Sequence, residues 1–160
     1  MKEQILQSRM LVYDEIDQLE PQFQQLLLEA RAATHRAYAP YSNFLVGAAV
    51  LLEDGQIVTG ANQENAAYPM CLCAERVTLA GALSQYPGKQ LRCLAVTVRN
   101  PKKVIDQPAS PCGACRQVIV ETELRQQAPI RILMQGEKGP IYDLKTGNIL
   151  LPLGFDASFL

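Results

Sequence analysis

Two clusters of cysteine give this chain its clearest chemical signal. The stretch "MCLCAERV", residues 70–77, holds Cys71 and Cys73 with Glu75 close behind, and "PCGACRQVI" holds Cys112 and Cys115. A Cys-x-x-Cys pair by itself has three interpretations: a redox pair, half of a zinc site, or two incidental cysteines. The cysteine count is five, an odd number, in a chain whose sequence predicts an intracellular protein. Metal binding or catalysis is therefore favoured over a disulfide framework.

Taken together, the two clusters favour a catalytic zinc site. Each cluster lies between a coil and the first turn of a predicted helix, where the helix dipole stabilises thiolates. If the two helix ends converge, Cys73, Cys112 and Cys115 supply three thiolate ligands. Three protein ligands with an open fourth position are typical of catalytic zinc, whereas a structural site has four. The alternative is a closed four-cysteine site that includes Cys71, while Cys93, inside an apolar strand, is predicted to be a core residue.

Helical and strand patterns alternate along the chain and would position these cysteines. Apolar periodicity predicts helices over residues 21–38, 74–86 and 115–127. Strands are predicted over 44–53, 56–62, 91–100, 130–135 and 139–151, with the first two joined by an Asp54-Gly55 turn and a further short strand possible at 10–13. A hairpin followed by helix–strand–helix–strand predicts an α/β protein: a three-layer α/β/α sandwich with a mixed five-stranded sheet.

Composition limits the size of the protein and its partners. With 160 residues, 48% hydrophobic and 19% charged, the chain fits one domain, predicted at 21–160 after an N-terminal extension at 1–20. Its 15 Lys and Arg against 16 Asp and Glu leave a net charge of −1, which argues against a nucleic-acid partner. No apolar segment has the length of a signal peptide or membrane span, so we expect no membrane partner and a cytoplasmic protein. The lone histidine, His35, is given no role.

The order and spacing of the two clusters match a known catalytic signature. Cys73-Ala74-Glu75 followed by Pro111-Cys112-Gly113-Ala114-Cys115 is the all-cysteine form of the deaminase pattern H-x-E…P-C-x-x-C. The wider sequence "YSNFLVGAAV…GANQENAAYPMCLCAERV…SPCGACRQVI…LLPLGF" resembles cytidine deaminases of the small homotetrameric type, across roughly residues 21–156. The chain departs from compact members in a longer N-terminus, a longer segment between the clusters, and Leu45 where proline is common.

This resemblance implies a reaction and a set of roles. The implied activity is hydrolytic deamination of cytidine and 2′-deoxycytidine, as in pyrimidine salvage, with one Zn²⁺ per subunit bound by the three cysteines named above. Glu75 would move protons between the zinc-activated water, the pyrimidine N3 and the departing ammonia. Because three thiolates give the zinc site a formal charge of −1, Arg76 is expected to donate hydrogen bonds to the cysteine sulfurs and offset it.

Five further residues are predicted to hold the nucleoside. Phe44 would form a wall for the pyrimidine ring, although an aromatic residue in an apolar strand is usually core. Asn62 and Glu64 follow a strand and would bind the ribose hydroxyls; the alternative is a turn-forming Asn and a solvated Glu. The resemblance adds Ala74 beside the base and Phe155, in the apolar tail "LLPLGFDASFL", which would reach the site of a neighbouring subunit in a homotetramer with shared active sites.

Two other functions are compatible with the same cysteines. The first is a deaminase of the same fold that acts on blasticidin-type or other cytosine nucleosides. The second is a structural-zinc or redox thiol protein without turnover. No residue is predicted to read the 2′-hydroxyl, so the sequence does not rank cytidine against 2′-deoxycytidine. A carboxylate at Glu64 would repel a 5′-phosphate, which favours a free nucleoside over a nucleotide.

Overall fold

The backbone follows the predicted alternation of helices and strands. A computed structural model describes all 160 residues. The helices are α1 (Pro21–Ala33), α2 (Ala74–Gln85) and α3 (Gly113–Gln126). The strands are β1 (Leu11–Tyr13), β2 (Leu45–Leu52), β3 (Ile57–Ala61), β4 (Leu91–Arg99), β5 (Arg131–Gln135) and β6 (Ile141–Leu144).

The strands form one mixed sheet in the order β1-β6-β5-β4-β2-β3. Only β4 and β5 are parallel neighbours, joined through α3, and every other pair is antiparallel. Helix α1 packs on one face of the sheet, while α2 and α3 pack on the other. The predicted three-layer α/β/α architecture is confirmed, and the carboxyl end of β4 leads into the loop that carries the second cysteine cluster.

The predicted number of strands was too low by one. Residues 11–13 form β1, which pairs with β6 in the register Leu11↔Asp143 and Tyr13↔Ile141. A strand of three residues is too short to show alternation in the sequence, and it is fixed by its partner strand. Part of the predicted extension therefore belongs to the sheet, and Leu19 is buried in the core beside Phe23. The proposed domain boundary at residue 21 stays a prediction.

The last strand is shorter than the sequence indicated. It ends at Leu144, and residues Gly147–Leu150 form a single-turn 3₁₀ helix capped by the Thr146 side chain, which accepts from the Asn148 N–H. Local side-chain capping of this kind competes with strand pairing. The chain after β6 therefore turns back over α3 instead of extending the sheet.

Two apolar clusters, one on each face of the sheet, hold the layers together. Phe23, Leu26, Leu27 and Ala30 of α1 pack on the face that Cys93 also joins, as the helical periodicity predicted. Cys93 is fully buried, which confirms its assignment to the core. On the other face, α2 and α3 cover a larger cluster built on β2, β4 and β5. Each fully buried large apolar side chain stabilises the fold by about 1.5–3 kcal/mol.

A close contact between β3 and α2 fixes the position of the helix that carries the first cysteine cluster. A Cβ atom on Gly60 would lie 2.5 Å from the Thr78 hydroxyl oxygen and 2.9 Å from the Thr78 nitrogen. Glycine is therefore required for the helix to approach the strand this closely. Thr78 in turn donates a hydrogen bond to the Ala74 carbonyl at 2.7 Å, in the first turn of α2.

Candidate active site

Three cysteine thiols meet where the N-termini of α2 and α3 converge. Cys73 is the N-cap residue of α2, Cys112 is the N-cap residue of α3, and Cys115 lies in the first turn of α3. The Cys73 and Cys112 sulfurs are 3.7 Å apart, and those of Cys112 and Cys115 are 3.4 Å apart. All three sulfurs lie within 4.8 Å of one another. The convergence that the sequence predicted is therefore present.

The spacing of these thiols fits a zinc ion. Thiolates bind tetrahedral zinc at about 2.3 Å, which places neighbouring sulfurs about 3.8 Å apart. Cys71 lies outside the cluster, because its sulfur accepts from the Asn65 N–H at 3.2 Å and donates to the Asn65 carbonyl at 3.6 Å. The structure brings together three thiols that could hold one metal ion, and a tetrahedral ion held by three protein ligands would keep one position for water or substrate.

The thiols are electrostatically unequal. A hydrogen bond from Cys115, together with one from Cys112 and the positive charge of Arg76, lowers the pKa of Cys73 to about 6. The hydrogen bond to Cys73, with burial, raises the pKa of the Cys115 thiol. Cys73 therefore ionises more readily than Cys115, and its place at a helix N-terminus favours the thiolate.

Glu75 lies beside the cluster in an environment that favours its protonated form. It belongs to the first turn of α2 and is only 4% exposed. Burial raises the pKa of its carboxyl above the ordinary range, and the charge of Cys73 acts in the same direction. A carboxyl group that can both hold and release a proton is what general acid–base catalysis needs.

A cavity of about 460 Å³ opens over the cysteines and Glu75. Its size is that of a small-molecule site. It is lined by predicted site residues from four segments of the chain: Phe44, Asn62, Glu64, Cys73, Glu75 and Cys112. The structure therefore places two of the three proposed metal ligands and most of the proposed nucleoside-binding residues around one cavity.

Hydrogen bonds to the start of β2 fix the side chain of Asn62. Its oxygen accepts from the Val46 N–H at 2.8 Å, and its nitrogen donates to the Phe44 carbonyl at 2.9 Å. These two bonds set the orientation of the amide and leave one N–H group and one oxygen lone pair of the side chain free for a ligand. Asn62 also positions Phe44 at the cavity wall.

Glu64 accepts hydrogen bonds from the loop that precedes β2. Its Oε2 accepts from the backbone N–H groups of Tyr41 at 2.9 Å and Ser42 at 3.3 Å, and its Oε1 accepts from the Ser42 hydroxyl. The hydrogen bond from the Ser42 hydroxyl is the main reason that the pKa of the Glu64 carboxyl is lowered. Glu64 is therefore an ionised group with about one lone pair free on Oε1.

Three predicted residues lie away from the cavity lining. Arg76 makes no hydrogen bond to a cysteine sulfur and acts on Cys73 only through its charge, while its side chain lines an apolar groove on α2. Ala74 has its side chain buried in the core, so a role toward substrate rests on its main-chain N–H. Phe155 is 59% exposed, and its ring stacks on that of Phe159.

Comparison with known proteins places the chain in a family. A sequence profile described as the cytidine and deoxycytidylate deaminase zinc-binding region matches residues 21–128. The chain belongs to this cytidine and deoxycytidylate deaminase family. A cytidine deaminase of Halalkalibacterium halodurans is 40% identical over 134 residues, covering 84% of this chain and 94% of that protein. One from Sporosarcina psychrophila is 47% identical over 98 residues, covering 61% of this chain and 68% of that protein.

Solved structures of the deaminase family show the same fold. The crystal structure of a cytidine deaminase from Burkholderia pseudomallei is 38% identical in sequence and superposes with a TM-score of 0.71, covering 82% of this chain and 97% of that one. None of the three helices described above has the length and apolar character of a membrane-spanning helix.

Two site residues of this family member were missed by the sequence analysis. Ser42 holds Glu64 as described, and its oxygen also accepts from the Phe44 N–H at 3.0 Å. Arg116 donates to the Pro111 carbonyl at 2.8 Å and the Leu150 carbonyl at 3.0 Å, which ties the loop before the second cysteine cluster to the C-terminal segment. The position of Arg116 directly after Cys115, a predicted metal ligand, is a signal that could have suggested a supporting role.

Proposed function

We propose that this protein hydrolyses cytidine and 2′-deoxycytidine to uridine and 2′-deoxyuridine with release of ammonia. The observation that carries the proposal is the convergence of three thiols and a buried carboxyl on one cavity. The similarity to proteins named cytidine deaminase supports the choice of a cytosine nucleoside. We assign the reaction to nucleoside salvage in the cytoplasm, where five free thiols would stay reduced.

Cys73, Cys112 and Cys115 would hold one zinc ion per subunit. Zinc supplies the Lewis acidity that makes water a nucleophile near neutral pH. The protein contributes the two helix N-termini, whose positive ends stabilise the three thiolates. The positive charge of Arg76 offsets part of the negative charge of the thiolates.

Glu75 is the group we assign to proton transfer. Water adds to C4 of the cytosine ring, and Glu75 accepts a proton from that water and passes it to N3. It then transfers the second proton to the amino group at C4, and ammonia leaves as the C4 carbonyl forms. Both protons come from water and the carboxyl group returns to its starting state. The raised pKa of the Glu75 carboxyl suits a group that must alternate between the two forms.

Phe44, Asn62 and Glu64 would hold the nucleoside. Phe44 would form the cavity wall against the pyrimidine ring. The remaining N–H of Asn62 would donate to one ribose hydroxyl, and the free lone pair of Glu64 would accept from another. An ionised Glu64 repels a 5′-phosphate, which supports a free nucleoside as substrate over deoxycytidylate.

A homotetramer with shared active sites would complete the cavity. Phe155 does not line the cavity of its own chain, and the tail around it exposes Leu153, Phe155, Phe159 and Leu160. An apolar groove on α2 and α3, lined by Leu72, Val77, Leu79, Ala80, Leu83 and Val118 together with Arg76, is a second surface suited to burial between subunits. We propose that Phe155 packs against the pyrimidine in a neighbouring subunit and excludes water.

Turnover by purified zinc-loaded protein tests the proposal. Cytidine and 2′-deoxycytidine should each lose the cytosine absorbance with an equal amount of ammonia released, whereas deoxycytidylate should react poorly. Zinc binding without turnover of any nucleoside would instead support a structural zinc or redox thiol protein. Turnover confined to blasticidin-type nucleosides would support a deaminase of the same fold with another substrate.

A further inference from the structure

A second cavity lies on the opposite face of the sheet, at the same end of β4 as the thiol cluster. Its volume is about 150 Å³, and its polar lining comes from Arg31, Thr34, His35, Thr97, Arg99 and Glu137. Val96 of β4 lines the catalytic cavity, and the alternation of side chains along the strand directs Thr97 and Arg99 to the α1 face. The two cavities share no lining residue, although Val98, on the same side of β4 as Val96, also lines the second cavity at the end of the strand.

Three polar atoms of the residues that line this second cavity lack hydrogen-bond partners within the protein. Three buried side-chain atoms in the whole structure have no hydrogen-bond partner: the Arg31 Nε, the Arg99 Nε and a Glu137 Oε. All three belong to residues that line this one cavity. Because buried polar groups in native proteins are nearly always hydrogen-bonded, their concentration around one cavity marks a group of charged side chains that the protein itself compensates poorly.

The charges around the cavity favour an anion. Two guanidinium groups face one carboxylate, and neither arginine forms an ion pair with Glu137. Burial lowers the pKa of the Arg31 guanidinium, because its positive charge is poorly solvated there. The two guanidinium groups and one carboxylate leave a surplus of positive charge at the cavity, and neither arginine is neutralised by an ion pair.

The groups are also held in place before any ligand binds. The Arg31 Nη2 donates to the side-chain oxygen of the buried Gln135. The side-chain nitrogen of Gln135 in turn donates to the Gly139 carbonyl at 2.8 Å. The backbone N–H of Glu137 donates to the Ile105 carbonyl at 2.7 Å. Arg31 and Glu137 would therefore lose little conformational entropy when a ligand binds in the cavity.

We propose that this cavity binds inorganic phosphate. Two unprotonated phosphate oxygens would accept from the Arg31 and Arg99 guanidinium groups, and the P–OH group that phosphate keeps near neutral pH would donate to the Glu137 carboxylate. The volume of about 150 Å³ leaves room for an ion of five heavy atoms. A phosphomonoester loses its last proton near pH 6 and then presents no donor to Glu137.

Calorimetric titration of the zinc-loaded, phosphate-free protein at constant ionic strength tests the site. Inorganic phosphate should give one saturable site per chain at neutral pH, whereas sulfate and glycerol phosphate should bind at least about tenfold more weakly, because they offer no proton to Glu137. Arg99→Met should weaken phosphate binding by at least about tenfold. Arg92→Met is the matched control, since Arg92 is an exposed arginine on the same strand, and it should leave binding unchanged.

A sharper test replaces the Glu137 carboxylate, which only accepts hydrogen bonds, with an amide that can donate one. Glu137→Gln presents an N–H group to the anion, so this variant should bind sulfate at least about tenfold more tightly than the natural protein does. The proposal is overturned if phosphate gives no saturable heat, which a cavity filled only by water predicts. It is also overturned if natural protein binds sulfate as well as phosphate, or if Arg92→Met weakens binding as much as Arg99→Met.

Discussion

The metal side and the sugar side of the candidate site are built differently. On the metal side, Cys73, Glu75, Cys112 and Cys115 all lie within the first turn or the N-cap of two helices that pack on the central sheet. On the sugar side, Glu64 is held by a loop, and Phe155 belongs to an exposed tail. The first region is complete within one chain, whereas the second depends on loops and, in our proposal, on a neighbouring subunit.

This difference separates what each region can contribute. Groups fixed by helix ends and core packing can hold a metal and a proton carrier within the small tolerances that catalysis requires. Loop and tail residues can select and enclose a substrate without disturbing that geometry. We therefore expect substitutions on the metal side to change zinc content or kcat, and substitutions on the sugar side to change KM.

Loss of a zinc ligand should have the largest effect. Cys73→Ala, Cys112→Ala and Cys115→Ala should each abolish both bound zinc and turnover, because two thiols hold the ion too weakly. Cys71→Ala is the matched control, since it removes a thiol that lines the same cavity but lies outside the cluster, and it should keep most of both. Metal analysis and an activity assay measure the outcome. Loss of zinc from Cys71→Ala would mean a closed four-cysteine site.

Glu75→Gln should separate chemistry from metal binding. The amide has nearly the same shape and leaves all three thiols in place, but it cannot accept the proton. We expect folded, zinc-loaded protein whose kcat falls by about 10²–10⁴-fold, the usual contribution of a general acid–base group. Near-normal turnover in this variant would show that another group moves the proton.

The predictability of the two regions follows the same division. Cys73 and Glu75 are two residues apart, and Cys112 and Cys115 are three apart, so each half of the metal side leaves a local pattern in the sequence. The convergence of the two halves joins residues 39 positions apart, and the match to the deaminase signature is what indicated it. The contact between Ser42 and Glu64 spans 22 positions and that between Arg116 and Leu150 spans 34, and neither leaves a local pattern. Strand β1 was uncertain for the same reason, because its pairing with β6 joins residues about 130 positions apart.

Phe155→Ala should raise KM while leaving zinc content unchanged. If the ring completes a neighbour's cavity, its loss should raise KM for cytidine about tenfold, equivalent to about 1.4 kcal/mol. Phe159→Ala is the control, because it removes the stacked aromatic beside Phe155 in the same exposed tail. Its effect should be smaller.

Mixed tetramers test whether Phe155 acts in trans. An excess of Glu75→Gln chains, which keep Phe155 but lack the proton carrier, should restore the KM of Phe155→Ala chains once subunits exchange. Neither chain alone can supply both groups. A fully active monomer at assay concentration, or no rescue despite proven exchange, would contradict the shared site.

The smallest effect we expect is a difference between nucleoside and free base on substitution of Glu64. Glu64→Ala removes a ribose partner and also releases the loop at Tyr41 and Ser42 that leads to Phe44, so binding of both ligands should weaken. Ser42→Ala removes only the hydroxyl from this arrangement and keeps the carboxylate. If Glu64 binds the sugar, Glu64→Ala should weaken cytidine binding more than cytosine binding, by about 1 kcal/mol, whereas Ser42→Ala should weaken the binding of the two ligands equally. Competition assays with both ligands measure the ratio, and equal losses in Glu64→Ala would limit that residue to holding the loop.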